Sequence, residues 1–82
     1  MKTIFQEWVF KDPNSDLYVI VEAYTEPFEN KWNKGIDFSW QENWSDGEIR
    51  PIESIGLFGE QAVIRFVEQK FSDWEIPWKK SF

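Results

Sequence analysis

The chain has 82 residues, a net charge of −6, eight Phe, six Trp and two Tyr, and neither histidine nor cysteine. Without those two residue types, Ser-His-Asp and Cys-His triads, ordinary zinc sites and disulfides are excluded. The length predicts a single domain over residues 1–82. Because no run of about 18 uncharged apolar residues occurs and no signal-peptide pattern opens the chain, we expect a cytoplasmic protein that does not enter membranes.

Two apolar segments near the N-terminus predict a β-hairpin. Residues 3–10 alternate well enough for a first strand, and residues 17–24 are β-branched and aromatic, as is typical of a central strand. The segment between them concentrates Pro, Asn and Asp, which favour turns. Residues 25–35 are polar and include Pro27, so we interpret them as a long connection.

The clearest two-residue period lies in residues 36–45, which predicts a third strand with one solvent-exposed face. Its apolar face is formed by Ile36, Phe38, Trp40 and Trp44. Asp46-Gly47 is a preferred pair for a type I′ hairpin turn. Residues 48–52 are therefore expected to return as a short strand, and Pro51 suits an edge position because it cannot donate a backbone hydrogen bond.

Apolar residues recur at intervals of three and four in the C-terminal third of the chain, which predicts an amphipathic helix over residues 58–74. Gly59 is a candidate N-cap. The tail, residues 75–82, contains Pro77 and either packs its apolar side chains or adds an edge strand. The order of elements predicts an α+β fold: an antiparallel meander of three to four strands followed by one helix packed on one face.

Few residues offer enzyme chemistry, and we expect no catalytic activity, cofactor or metal. Asp12-x-Asn14-x-Asp16 opens like a calcium loop, but Leu17 occupies the position where such a loop needs glycine. Glu7 and Glu22 lie inside apolar strands, where burial would raise a carboxyl pKa. An outward-facing strand position explains both of them equally well.

The acidic residues are unevenly distributed along the chain. Residues 12–48 hold nine acids against two lysines, a net charge of −7. Because an acidic surface repels phosphate backbones, we expect no direct binding of nucleic acid. An acidic segment beside exposed aromatics is instead typical of an inhibitor that captures a basic, nucleic-acid-binding or nuclease protein.

Two tryptophans, Trp32 and Trp78, have no periodic apolar partner in the sequence, so we expect them to be exposed anchors for a partner. The expected contact face combines these aromatics with the acids of the third strand, its turn and the preceding connection. Its members are Glu26, Glu29, Trp32, Asp37, Glu42, Asp46, Glu48 and Trp78.

In size and charge, although not in any motif, the chain resembles small bacterial immunity proteins for nuclease toxins and the anti-defence inhibitors carried by phages. That resemblance implies a basic protein partner. Two other functions stay open. A homodimeric accessory subunit would use a second apolar sheet face and the edge strands, and a carbohydrate-binding module would stack sugars on Trp32, Trp40 and Trp44.

Overall fold

A computed structural model describes residues 1–51 and 59–82, with only the backbone at positions 50 and 51. In these residues the elements are β1 (Thr3–Lys11), β2 (Tyr18–Glu29), β3 (Lys34–Trp44), β4 (Ile49–Pro51), α1 (Glu60–Lys70) and β5 (Glu75–Ser81). The five strands form one antiparallel sheet in the order β4-β3-β2-β1-β5. The predicted α+β class and meander are confirmed.

The C-terminal tail forms an edge strand, which decides between the two alternatives that the sequence left open. β5 pairs with the free edge of β1, from Glu75 opposite Lys11 to Ser81 opposite Gln6. The amide of Phe82 continues the ladder by donating to the carbonyl of Phe5 at 3.0 Å. Pro77 is tolerated because an edge strand needs backbone donors on one side only.

The long connection predicted over residues 25–35 is wrong, because β2 continues to Glu29 and β3 begins at Lys34. The backbone amide of Ser45, just after β3, donates a hydrogen bond to the carbonyl of Tyr18. The N–H and C=O groups of the even-numbered residues of β2 therefore point towards β3. Pro27 therefore faces the other side, and β1 begins only at Thr3, opposite Thr25. No described strand lies beside Pro27 there, so its missing N–H removes no ladder hydrogen bond.

The turn between β3 and β4 also differs from its prediction. A type I′ turn needs positive φ at both central residues, but only Gly47, at 91°, has it, and Asp46 does not. The amide of Trp44 donates to Glu48 at 2.8 Å and the amide of Gly47 donates to Trp44 at 3.0 Å. The loop is thus three residues long, with glycine at the left-handed position.

The helix is shorter than the predicted span of residues 58–74. It begins after Gly59, which is the N-cap as expected, and ends at Lys70. The amide of Trp74 donates to the carbonyl of Phe71 at 3.0 Å, so the chain turns tightly there and enters β5. Two predicted element ends, Ile52 of the fourth strand and Phe58 of the helix, lie outside the described residues.

The core lies between α1 and one face of the sheet, which we call the helix face. Phe10 stacks on Phe71 with ring centres 4.6 Å apart, and Trp40 meets Phe66 at 5.1 Å. The buried apolar side chains are Phe5, Trp8, Phe10, Val19, Val21, Ala23, Trp40, Val63, Val67 and Phe71. α1 does not pack on the opposite face, here called the open face, where alternation places Val9, Ile20, Glu22 and Trp78.

Replacing Gly47 tests the three-residue turn. Gly47→Ala should destabilise the domain by about 1–2 kcal/mol, because an L-residue resists this backbone conformation, although no described residue beyond its two chain neighbours comes within 4 Å of an added Cβ. Gly47→Asn should cost less, since Asn tolerates positive φ. Urea unfolding of both variants measures the difference, and equal stability of Gly47→Ala and the parent would contradict the turn geometry.

Candidate functional site

The structure divides the predicted contact residues among separate places. Glu26, Glu29, Trp32 and Asp37 lie on the distal part of the β2–β3 hairpin, residues 26–37, which we call the arm. Asp46 lies within the turn at the other end of β3, and Glu48 directly follows that turn. The eleven residues of β3 separate the two ends, and its ten residue-to-residue steps span about 33 Å at roughly 3.3 Å each. A single flat contact face containing all of them does not exist.

Trp32 is the most exposed of the predicted anchors, with 85% of its surface accessible, and it lies at the tip of the arm. The turn is held by the carboxamide oxygen of Asn30, which accepts from the amide of Trp32 at 2.9 Å. The ammonium of Lys31 lies 5.1 Å from the centre of the indole. The expectation of an exposed ring is confirmed for Trp32, and that ring is adjacent to a cation rather than to an acid.

The two faces of the arm carry different charges. On the open face Glu26 stands directly opposite Asp37, so two carboxylates are neighbours across the strands. On the other face Glu29 stands opposite Lys34. Phe28 covers Gly35 closely enough that a Cβ there would meet the ring at 3.0 Å. The arm therefore carries a pair of acids on the open face, and an acid opposite a base on the other face.

Three turns meet at the opposite end of the domain. The amide of Ser45 donates to the carbonyl of Tyr18, which joins the β3–β4 turn to the β1–β2 turn. Trp74, before β5, packs its ring edge-on against Trp44 with centres 5.7 Å apart. Six acids lie in or beside these turns, and we call them the acidic end: Asp12, Asp16, Asp46, Glu48, Asp73 and Glu75.

One lysine of the described residues lies beside the turns of the acidic end. Lys11 is the basic residue in the same turns, and its ammonium donates to the backbone carbonyls of Asp12 and Ser15 at 3.1 and 2.9 Å. Asp46 accepts the amide of Glu48 at 3.0 Å, which fixes its turn. No group of three acids among the described residues is arranged to hold a metal ion. The acidic end is therefore a concentration of negative charge rather than a chelating site.

Glu42 must be removed from the expected contact face because it is only 1% exposed. Its side chain lies on the helix face, where one oxygen accepts from the indole of Trp44 and the other from Trp40, both at 3.1 Å. Lys70 of α1 completes an ion pair with the second oxygen. Burial alone would raise the pKa of Glu42, but the hydrogen bonds from Lys70, Trp40 and Trp44 outweigh it and lower the pKa.

The sequence contains the signal that places Glu42 on the helix face. Glu42 has the same parity in β3 as Trp40 and Trp44, so the two-residue period already assigned it to the apolar side. A buried carboxylate needs donors, and two neighbouring indoles supply them. The prediction that Glu42 belongs to a partner-binding surface is therefore wrong.

A second, more exposed network holds the other side of the helix. Glu68 of α1 accepts from Lys79 of β5 at 2.9 Å and from the indole of Trp8 at 3.3 Å on the same oxygen. The hydrogen bond from Lys79 lowers the pKa of Glu68, with burial opposing it and Trp8 adding to it. Each edge of the helix is thus attached to the sheet by one carboxylate, one lysine and at least one indole.

Trp78 lies on the open face of β5, opposite Val9, and is 42% exposed. Trp40 is buried, at 2% exposure, and Trp44 packs against the core on the helix face. Trp32 is at the far tip of the arm. The sugar-stacking platform expected from Trp32, Trp40 and Trp44 is therefore not formed.

Comparisons with known proteins add no relative: no family, no curated protein and no solved structure matches the chain. No helix in residues 1–51 and 59–82 is long and apolar enough to cross a membrane. The surfaces described above are therefore the basis for assigning a function.

The Glu42 network predicts a large difference between two lysine substitutions. Lys70→Met leaves the carboxylate of Glu42 buried without its cation and should cost about 3 kcal/mol. Lys79→Met is the matched control, because its partner Glu68 is 36% exposed, and should cost about 1 kcal/mol or less. Urea unfolding at neutral pH compares the two, and equal losses would show that Glu42 is not the dominant ion pair.

The lowered pKa of Glu42 predicts acid sensitivity. The unfolded chain takes up the proton first, near the ordinary value of 4.5. The stability contributed by this carboxylate is therefore fully present above that pH and is lost as the pH falls through the folded value. Glu42→Gln, which cannot titrate, should lose less stability than the parent between neutral pH and about pH 3. Parallel pH profiles from urea midpoints would contradict this assignment.

Proposed function

We propose that this chain is a small acidic protein-binding inhibitor, which captures a basic, nucleic-acid-binding or nuclease partner through its acidic end. The observation that carries the proposal is that six acidic residues, in or beside three separate turns, lie at one end of the sheet. A concentrated negative potential accelerates the approach of a cationic surface. Covering that surface would prevent the partner from contacting phosphate groups.

The composition of the chain supports binding rather than catalysis. Histidine and cysteine are absent, and the buried carboxylate, Glu42, is saturated by donors from Lys70, Trp40 and Trp44. The acids of the acidic end are exposed or half-buried turn residues. Such residues suit charge complementarity, in which long-range attraction sets the association rate and the short-range fit sets the lifetime.

A homodimeric accessory subunit is the second candidate, and one observation favours it. β5 is an edge strand on which every residue is exposed, including Ile76 and Trp78. Against pairing of two such edges stand Pro77 and the adjacent Lys79 and Lys80, because proline and lysine on an edge hinder strand addition. Sedimentation at micromolar concentration separates the candidates, since a stable dimer would favour the subunit.

Charge reversal at the acidic end should weaken partner binding mainly through the association rate. Asp16→Lys with Asp73→Lys avoids Asp12 and Asp46, whose carboxylates accept turn hydrogen bonds. We expect association with the captured partner to slow on the order of tenfold at low salt, with dissociation changed much less. Surface plasmon resonance at several salt concentrations measures both rates.

The control is Glu29→Lys with Glu60→Lys, which changes the net charge equally at sites away from the acidic end. The partner is obtained by affinity capture from the source cell, and its nuclease or nucleic-acid-binding activity is assayed with and without the domain. An acidic partner, salt-insensitive binding or an uninhibited activity would contradict the proposal. Equal slowing by both double variants would show that only the net charge matters.

A further inference from the structure

The open face carries a second acidic surface, separate from the acidic end, in which carboxylates alternate with aromatic rings along β2. Residues of one face follow at intervals of two, so Glu22, Tyr24, Glu26 and Phe28 form a row. Glu7 stands opposite Glu22 on β1, and Asp37 stands opposite Glu26 on β3. We call this surface the open-face row: Glu7, Glu22, Tyr24, Glu26, Phe28 and Asp37.

The row contains two unfavourable pairings. Like charges placed directly opposite each other on neighbouring strands destabilise a sheet, and this occurs at both Glu7–Glu22 and Glu26–Asp37. In residues 1–51 and 59–82, no side chain donates a hydrogen bond to Glu7, Glu26 or Asp37. Such pairs lower the stability of the fold, which indicates that these acids serve a function other than folding.

The chain's own Lys2 shows which chemical group this surface accepts. Its ammonium lies 4.4 Å from the centre of the Tyr24 ring and donates to the carboxamide oxygen of Gln41 at 3.3 Å. Gln41 donates in turn to Asn43 at 3.0 Å, and Asn43 donates to Glu22 at 2.9 Å. The side-chain amides of Gln41 and Asn43 thus form a hydrogen-bonded chain that runs from the ammonium of Lys2 to the carboxylate of Glu22.

Lys2 satisfies only part of the row. Its ammonium makes no ion pair with any described carboxylate, and residues 1 and 2 precede the first strand and are exposed. The other nearby base on this face is Lys80, which stands opposite Glu7 and lies over the ring of Phe82 at 4.8 Å. The acids of the row therefore outnumber the bases, and a further cation would be attracted to it.

From this charge complementarity we propose that the open-face row binds an extended, lysine-bearing segment of a protein partner, whose ammonium groups contact the carboxylate pairs and replace Lys2 over Tyr24. Lysines at alternate positions of an extended chain project to one side about 6.6 Å apart, which matches the spacing of acids and rings along β2. This inference rests on the proposed function only in expecting a basic protein partner, and it names a surface and a recognition pattern beyond the acidic end.

The probe is a blocked octapeptide of alternating lysine and serine, with a peptide of the same composition in block order, four lysines followed by four serines, as the control. Calorimetry at low salt should give weaker binding for the block peptide. Amide shifts in two-dimensional NMR spectra should be centred on residues 22–28 and 37. Equal affinity for both peptides, or shifts confined to the acidic end, would overturn the proposal.

Two variants test the row itself. Glu26→Gln with Asp37→Asn should weaken binding of the alternating peptide about fivefold or more, yet raise the melting temperature by removing a like-charge pair. Loss of stability with unchanged binding would show that these acids serve the fold. Asp16→Asn with Asp73→Asn is the matched control at the acidic end, and it should bind the alternating peptide nearly as the parent does.

Lys2→Ala should tighten binding of the alternating peptide about two- to fivefold, because it removes the internal occupant of the Tyr24 site. Lys34→Ala changes the net charge equally on the other face of the arm, and it should have a smaller effect. If sedimentation shows a dimer and the open-face row lies in its interface, the inference is overturned. Its failure leaves the proposed function intact if the captured basic partner still depends on Asp16 and Asp73.

Discussion

The fold depends on the buried carboxylate of Glu42, which joins β3 to α1. It accepts from two indoles of its own strand and pairs with Lys70 at the end of α1. A carboxylate at 1% exposure is tolerable only because each oxygen has a donor. The arrangement fixes the side chains of Trp40 and Trp44, on which Phe66, Phe71 and Trp74 pack. Glu42 therefore fixes one edge of the helix over the sheet, and Glu68 with Lys79 fixes the other.

Local periodicity in the sequence predicts the first four strands, the helix and their order. It failed where long-range pairing decided the outcome. Pro27 indicated a connection, but the register between β2 and β3 places its nitrogen on a side without a described strand. Pro77 left the tail undecided, because pairing with β1 is a property of the sheet and not of the tail's own residues.

The candidate site was predictable in its exposed aromatics and less so in its acids. Trp32 was identified because nothing periodic in the sequence could bury it, and it is 85% exposed. The prediction is wrong for Glu42, because its position in the two-residue period of β3, and not its charge, decides which face of the sheet it occupies. The separation of Asp46 and Glu48 from the arm follows from the full length of β3. The sequence shows that residues 12–48 carry a net negative charge. Only the pairing register of the strands shows that these acids divide between the acidic end and the open face.

The position of Pro27 has a consequence for how the arm behaves in a crowded solution. A two-stranded ribbon that extends beyond its sheet exposes unpaired backbone groups, and such borders can recruit identical chains into growing fibrils. On the outer border of β2 the proline offers no donor, so a chain approaching there cannot complete a continuous ladder. Pro27 thus lowers the risk that the arm, which exposes Trp32 at its tip, acts as a template for polymerisation of the protein.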